Sequence, residues 1–269
     1  MVVQHNMQAV NTNRMLGQNV KAVQKSTEKL SSGYAVNRAG DDAAGLSISE
    51  KMRNQIRGLN QSVKNAEDGI SLIQTAEGNM NEIHSILQRM GELAIKSRND
   101  VNATEDRRSI NDEVVQLKAE ISAITTKAEF NGTKLLNGDM SKGKLLQVGA
   151  NKGETMAISI KGTSLSNLGL TDTSVSTGVK ASTAIGKIQS AIKNVSAQRS
   201  LLGAVQNRLE YTINNLENYS ENLTSAESNI RDTDMATEMV NYSKNNILQQ
   251  AAQSMLAQAN QSNQGVLSL

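Results

Sequence analysis

Apolar positions along this chain step by threes and fours over long distances, as in helices packed lengthwise. Leu16, Val20, Val23, Thr27 and Leu30 follow this spacing, and Val3, Met7 and Val10 continue it in a slightly shifted frame. Ser31-Ser32-Gly33 then supplies a glycine stop. A second helix is expected from Asp41-Asp42, whose carboxylates suit a helix N-terminus. Its stripe runs through Ile56, Leu59, Val63, Ala66, Ile70, Ile73, Ala76, Met80, Ile83, Leu87, Met90 and Ala94. Unbroken to Ser97, it would reach roughly 80 Å at about 1.5 Å per residue, more than the width of a compact domain. Residues 99–104 read as a turn, with Asn102 or Thr104 as the next cap. A third helix on Ile110, Val114, Leu117, Ile121, Ile124 and Ala128 should fold back antiparallel.

The character changes at Phe130-Asn131-Gly132. Residues 130–180 hold eight of the nineteen glycines, many Ser and Thr, and short alternating runs. Met156, Ile158 and Ile160 alternate with Ala157 and Ser159, as in a half-buried strand. Leu145-Leu146-Gln147-Val148 is the natural partner strand, so one or two small hairpins are expected. Helical stepping resumes at Ile185, Ile188, Ile192 and Val195 and continues through Leu202, Val205, Leu209, Leu216, Tyr219, Leu223, Ala226 and Ile230, with Arg199 interrupting it. Asp232-Thr233-Asp234 breaks and recaps the chain before a last helix, where Leu248, Ala252, Met255 and Ala259 form a weak stripe.

The expected fold is mainly α: a long antiparallel helical rod, coiled-coil-like, with a small β-hairpin region at 131–180. It divides into an N-terminal segment 1–40, a helical domain 41–231 and a C-terminal segment 232–269. The two end helices look like halves of one device. Thirteen of the last fifty residues are Asn or Gln, and a thin apolar stripe gains too little by burial to offset the entropy of ordering. Such ends stay loose until they meet a partner, which makes the chain an assembly subunit.

Composition sharpens this picture. The 269 residues contain no Pro, Cys or Trp and one Phe, Phe130. Aromatics supply the largest buried areas in ordinary cores, so a thin aliphatic core is expected, and the lack of Pro permits long uninterrupted helices. A net charge of +2 with interspersed signs gives no basic stripe for nucleic acid. No apolar run approaches a membrane span, and the first residues do not read as a cleavable secretory signal.

Catalytic chemistry finds little to stand on. His5 and His84 are the two histidines, and His84 reads as a surface helical residue. No H-E-x-x-H or Cys ligand suggests a metal, no cofactor motif is present, and no enzyme is expected. Gly40-Asp41-Asp42-Ala43-Ala44-Gly45 is more simply a turn feeding a helix cap than a phosphate or calcium loop. Glu105-Asp106-Arg107-Arg108 reads as a solvated helix face. The Met residues at 7, 15, 80, 90, 235, 239 and 255 read as adaptable core packing.

Several blocks carry a resemblance. Asn6-Met7-Gln8-Ala9-Val10-Asn11-Thr12-Asn13-Arg14, Leu30-Ser31-Ser32-Gly33, and Asn37-Arg38-Ala39-Gly40-Asp41-Asp42-Ala43-Ala44-Gly45-Leu46 resemble the N-terminal part of bacterial flagellins. The stretches Asn229 to Ala236 and Gln253 to Asn260 resemble their C-terminus, and Phe130-Asn131-Gly132 and Gln147-Val148-Gly149-Ala150-Asn151 match in the family's order. The short middle resembles a minimal member without variable outer domains.

The resemblance implies a structural subunit of the extracellular flagellar filament, used for motility and exported unfolded by the flagellar type III system. It implies terminal helices that pair on assembly, with Val3, Met7, Val10, Leu16, Val20, Val23, Leu248, Ala252, Met255 and Ala259 in the polymerisation helices. Implied partners are further copies of the chain, hook-associated and cap proteins, and an export chaperone at the last helix. A host partner, Toll-like receptor 5, is implied by Leu87-Gln88-Arg89-Met90-Gly91-Glu92-Leu93-Ala94, with Gln88, Arg89, Glu92, Leu93 and Glu113 as contacts. Gly91 departs from the Arg usual there, and a mid-helix Gly costs roughly 1 kcal/mol against Ala. Other readings are a flagellin-like hook-filament junction protein and a secreted helical host-binding protein.

Overall fold

The structure is a computed structural model that describes residues 6–267, with side chains through residue 261. Val3 and His5 lie outside the described residues. Five α-helices and two small hairpins follow in the order α1 (Met7–Ser32), α2 (Ala43–Arg98), α3 (Thr104–Lys127), β1 (Glu129–Phe130), β2 (Thr133–Lys134), β3 (Lys144–Gln147), β4 (Thr155–Ile158), α4 (Gly178–Arg231) and α5 (Met235–Leu267). The fold is therefore mainly α with a small β region, as the periodicity predicts. The chain divides into two compact units: residues 56–220, and residues 1–55 with 221–269.

In the first unit, buried positions of α2 recur at Leu59, Ser62, Ala66, Gly69, Ile73, Ala76, Met80, Ile83, Leu87, Met90, Ala94 and Ser97. That is an unbroken alternation of threes and fours, a 3.5-residue repeat of the kind that keeps a seam facing its partner. The buried positions of α4 obey the same rule: Ala181, Ala184, Ile188, Ala191, Val195, Gln198, Leu202, Leu209 and Leu216. The two helices run antiparallel, because their contacts occur in opposite order. Ser220 bonds to Asn60 at 3.1 Å, Arg199 pairs with Glu77 at 3.4 Å, and Ile188 lies beside Gly91.

Three expectations need correction here. Gln198, not a gap at Arg199, carries the α4 stripe, because its amide donates to the Ser159 carbonyl at 3.3 Å and so tolerates burial. Gly69 replaces Ile70 in the α2 seam, because the hairpin fills that space: a Cβ on Gly69 would lie 2.6 Å from Leu146 Cδ2. Neither Asn102 nor Thr104 caps α3. The Ala103 backbone N–H donates to the Asp106 carboxylate at 3.2 Å instead, and Asn102 turns back to the Lys96 carbonyl.

The β region is two hairpins. Asn131 (φ 46°) and Gly132 (φ 74°) form the two-residue turn between β1 and β2, the geometry that favours Asn-Gly because both residues need positive φ. The β3–β4 hairpin pairs Lys144 with Ile158 through Gln147 with Thr155. It docks on α2, where Asn65 donates to the Gln147 carbonyl at 3.1 Å and Ala150 sits against Gly58. Residues 159–177 are irregular yet partly internal, with Ile160, Leu168, Leu170 and Val175 buried. Buried Ser97 donates to the Val175 carbonyl at 2.5 Å, and Lys118 donates to the carbonyls of Thr171 and Thr173. These bonds supply the partners that a strand ladder would otherwise provide.

In the second unit α1 ends at Gly33, whose φ of 76° is the left-handed stop expected of it. Asp42 accepts from the Gly45 N–H at 3.0 Å and caps α2. Asp234 caps α5 through the N–H groups of Ala236 and Thr237, at 2.9 and 3.2 Å. The α1 and α5 helices pack antiparallel, with Asn6 bonded to the Ala259 carbonyl at one end and Lys29 facing Glu238 at the other.

Candidate assembly surface

The paired end helices have an unusual inside and outside. The less exposed positions of α1 include Ala9, Thr12, Leu16, Asn19, Val23, Ser26 and Leu30, again alternating threes and fours. On α5 they include Glu238, Tyr242, Asn245, Gln249, Ala252, Leu256 and Ala259. Ser26, not the expected Thr27, is buried. This contact stripe is built largely of small, hydroxyl and amide groups. Full burial of a large aliphatic side chain yields about 1.5–3 kcal/mol, and Leu16, Val20, Val23, Leu30 and Leu256 are only half-buried. Ordering a residue's backbone costs about 1–2 kcal/mol, so the pair needs further burial to be stable.

That burial is available on the outside. Met7, Val10 and Met15 on α1 are exposed, as are Met235, Met239, Val240, Ile247, Leu248 and Met255 on α5. Their exposure ranges from 42% at Leu248 to 70% at Met7. Leu248 and Met255 therefore leave the stripe expected of them, and Ala252 and Ala259 keep to it. The methionines split likewise: Met80 and Met90 are buried in the helical core, whereas those at 7, 15, 235, 239 and 255 face outward. Periodicity finds a helix face but does not say which of two faces meets the partner within the chain. Large exposed apolar sets of this kind mark surfaces that meet another protein.

A polar knot ties the base of the pair. Backbone bonds join Ala35 to Arg231 at 2.7 Å and Thr233 to Gly33 at 2.9 Å. Arg231 stacks on the Tyr34 ring and donates to Glu50 at 2.6 Å. Arg53 donates to the Tyr34 hydroxyl at 3.3 Å and pairs with Glu227 at 3.4 Å. Nearby, Asp41 accepts from the Asn37 and Arg38 N–H groups and pairs with Lys25 at 2.9 Å. The Lys25 hydrogen bond, aided by those N–H groups, holds the Asp41 carboxyl below its usual range, and Asp41 in turn raises Lys25.

On the other unit, Arg89 is clamped between two carboxylates. Its Nε and Nη2 donate to Glu113 Oε1 at 3.0 and 2.9 Å, and Nη1 donates to Glu92 at 3.2 Å. The Glu113 and then the Glu92 hydrogen bond raise the Arg89 pKa. Gln88 is joined to His84 Nε2 at 3.1 Å, while His84 Nδ1 is buried without a partner. Leu93 is buried, 2% exposed, and belongs to the helical core. The surface here thus comprises Gln88, Arg89, Glu92 and Glu113. A Cβ at Gly91 would meet Ile188 Cγ2 at 3.7 Å, an ordinary contact. Arg107 reaches back to Asp100 at 3.3 Å and is mostly covered, so the 105–108 run is not wholly a solvated face.

Together these features define a class: a mainly helical protein whose α1 and α5 pair and carry an exposed apolar face. Comparison with known proteins agrees. Residues 3–141 match the bacterial flagellin N-terminal helical region, and residues 185–269 match the bacterial flagellin C-terminal helical region. The chain belongs to the bacterial flagellin family. It is 53% identical to a flagellin of Halalkalibacterium halodurans over 271 residues, covering 100% of this chain and 99% of the relative. A flagellar filament 33 kDa core protein of Treponema phagedenis is 46% identical, with 100% and 99% covered. The crystal structure of Bacillus cereus flagellin aligns at a TM-score of 0.52 and 32% identity, over 57% of this chain and 88% of that one. No helix among the described residues is long and apolar enough to cross a membrane.

Proposed function

We propose that this chain is a structural subunit of the bacterial flagellar filament, and that it polymerises through its two terminal helices. The observation that carries the reading is the outward apolar face of α1 and α5, set on an inner stripe too polar to hold the pair alone. Neighbouring copies cover that face, and ordering of the ends is coupled to assembly. Residues 1–40 and 232–269 are the assembly segments, anchored by the Tyr34 knot. Each copy adds to the next by the same non-closing contact, which generates a filament outside the cell.

Loosely held ends also suit passage of an unfolded chain through the flagellar type III system, with an export chaperone shielding α5 until then. Hook-associated and cap proteins meet the same end helices at the filament's termini. The exposed Gln88, Arg89, Glu92 and Glu113 form the contact for Toll-like receptor 5, with Leu93 supporting them from beneath. Seeded elongation tests the main reading: monomer added to short filament seeds lengthens them, and monomer lacking residues 1–40 and 232–269 does not. A chain that only caps seeds is a junction protein instead.

A further inference from the structure

Exposure divides the methionines by element. Among the described residues Met80, Met90 and Met140 are buried, and Met52 and Met156 are half-buried. Met7, Met15, Met235, Met239 and Met255 are exposed, from 46% at Met15 to 70% at Met7. Every exposed methionine among the described residues therefore lies on α1 or α5, within the assembly surface. On the filament reading above, we propose that these five thioethers are an oxidation site that controls polymerisation. A peroxide converts them to sulfoxides in the free monomer, an oxidised chain does not enter the filament, and a chain already in the filament is shielded.

Composition directs the oxidant to them. The chain has no Cys and no Trp, so a two-electron oxidant meets no thiol or indole ahead of the thioethers, and a thioether must be reached to be attacked. The step balances without a cofactor. A sulfur lone pair attacks one peroxide oxygen, and the S–O bond forms as the O–O bond breaks. The departing hydroxide takes the proton of the transferred oxygen and leaves as water. Sulfur loses two electrons and the peroxide gains them. A thiol-dependent methionine sulfoxide reductase reverses the change, removing the oxygen as water while two thiols join as a disulfide.

The positions make the modification costly to assembly. Asn6 bonds to the Ala259 carbonyl at one end of the α1–α5 pair, and Lys29 faces Glu238 at the other. Met7 and Met255 thus mark the first end and Met235 and Met239 the second, with Met15 between them. Met235 and Met239 are four residues apart, so they are neighbours on one helix face. Val10, Val240, Ile247 and Leu248 complete the exposed apolar set, and their side chains offer no donor to a sulfoxide oxygen. A thioether fills irregular apolar gaps by rotation about its unbranched stem. A sulfoxide buried there is a polar acceptor without a partner, whereas in the free monomer it stays in water.

The test is modification interference on the full-length monomer. Hydrogen peroxide is added to partial oxidation, and the mixed pool elongates short filament seeds. Filaments and leftover monomer are separated, and peptide mass spectrometry maps the sulfoxides in each. Sulfoxide at positions 7, 15, 235, 239 and 255 should be enriched about tenfold or more in the leftover monomer, while Met52 and Met156 sort evenly. Reductase with a dithiol should return the leftover monomer to elongation. Finished filaments given the same peroxide should oxidise at the five positions more slowly than monomer does. Even sorting of sulfoxide at the five positions would overturn the proposal, as would equal oxidation rates in monomer and filament. Untreated monomer separates the two readings. If it fails to elongate, the filament reading falls and takes the oxidation site with it; if it elongates while sulfoxides sort evenly, only the oxidation site falls.

Discussion

The Arg231 guanidinium lies 4.8 Å from the centroid of the Tyr34 ring, and Arg53 approaches the same ring at 5.9 Å. Tyr34 follows the end of α1, Arg231 closes α4, and Arg53 lies about three turns into α2, so one aromatic ring joins three helices. In a chain with four Tyr and one Phe, this is a rare use of an aromatic group. Cation–π pairs contribute about 0.5–2 kcal/mol each. Tyr34→Leu keeps bulk but loses the quadrupole and the hydroxyl. It should lower the stability of the α1–α5 unit by about 1–2 kcal/mol. Hydrogen exchange should register this as faster opening near residues 30–36 and 229–240, with the α2–α4 seam at 73–94 unchanged.

Glycines in α2 make a paired prediction. A Cβ on Gly58 would lie 2.9 Å from Ala150 Cβ and 3.3 Å from its Cα, whereas one on Gly78 would meet nothing within 4 Å. Gly78→Ala therefore gains helix propensity without a clash, and should add about 0.5–1 kcal/mol. Gly58→Ala forces the hairpin turn away from the helix and should cost more than that gain returns. Urea denaturation of both variants gives the signs directly.

Acid should loosen the end helices. The Thr237 hydrogen bonds, hydroxyl before backbone, with the Ala236 N–H, hold the Asp234 carboxyl below its usual value. A depressed carboxyl stabilises the fold above its unfolded pKa of about 4, and that contribution disappears as pH falls through the lower folded value. Asp41 behaves the same way, while Lys25, raised by Asp41, loses its contribution only as pH climbs above its ordinary range. Asp234→Asn still caps a helix but does not titrate. In assembled filaments, where the end helices are covered, its end-helix stability, followed by circular dichroism between pH 6 and about pH 3, should fall less steeply than that of the parent.

Arg89→Ala removes three exposed hydrogen bonds and an ion-pair cluster. Exposed pairs are worth about 0–1 kcal/mol, so thermal stability should scarcely change. Binding to the receptor ectodomain, measured on purified monomer, should drop at least tenfold if this clamp is the contact. Restoring the Arg usual at position 91 through Gly91→Arg should strengthen it, since the Cβ has room beside Ile188.

Long helices and hairpins were legible from the sequence because their causes are local. Alternation at 156–160, the Gly33 stop and the Asp42 and Asp234 caps depend on a few neighbouring residues. The seam was legible only where it was apolar. Gly69 and Gln198 are inside because the distant Leu146 needs the space of the first and the Ser159 carbonyl bonds the second, and periodicity assigns no such role to minimal or polar side chains. The end helices were harder. Leu248 and Met255 look like a core stripe, and their exposure emerges only when α1 takes the opposite face of α5.

The outward apolar face of α5 tests the account most directly. Ile247 is 66% exposed, so Ile247→Asp should leave the monomer's helicity and unfolding midpoint within about 0.5 kcal/mol of the parent. Seeded elongation, imaged and timed for both chains, should fall by at least an order of magnitude for the variant. Elongation at the parental rate by a normally folded variant would contradict the claim that this face is buried between subunits.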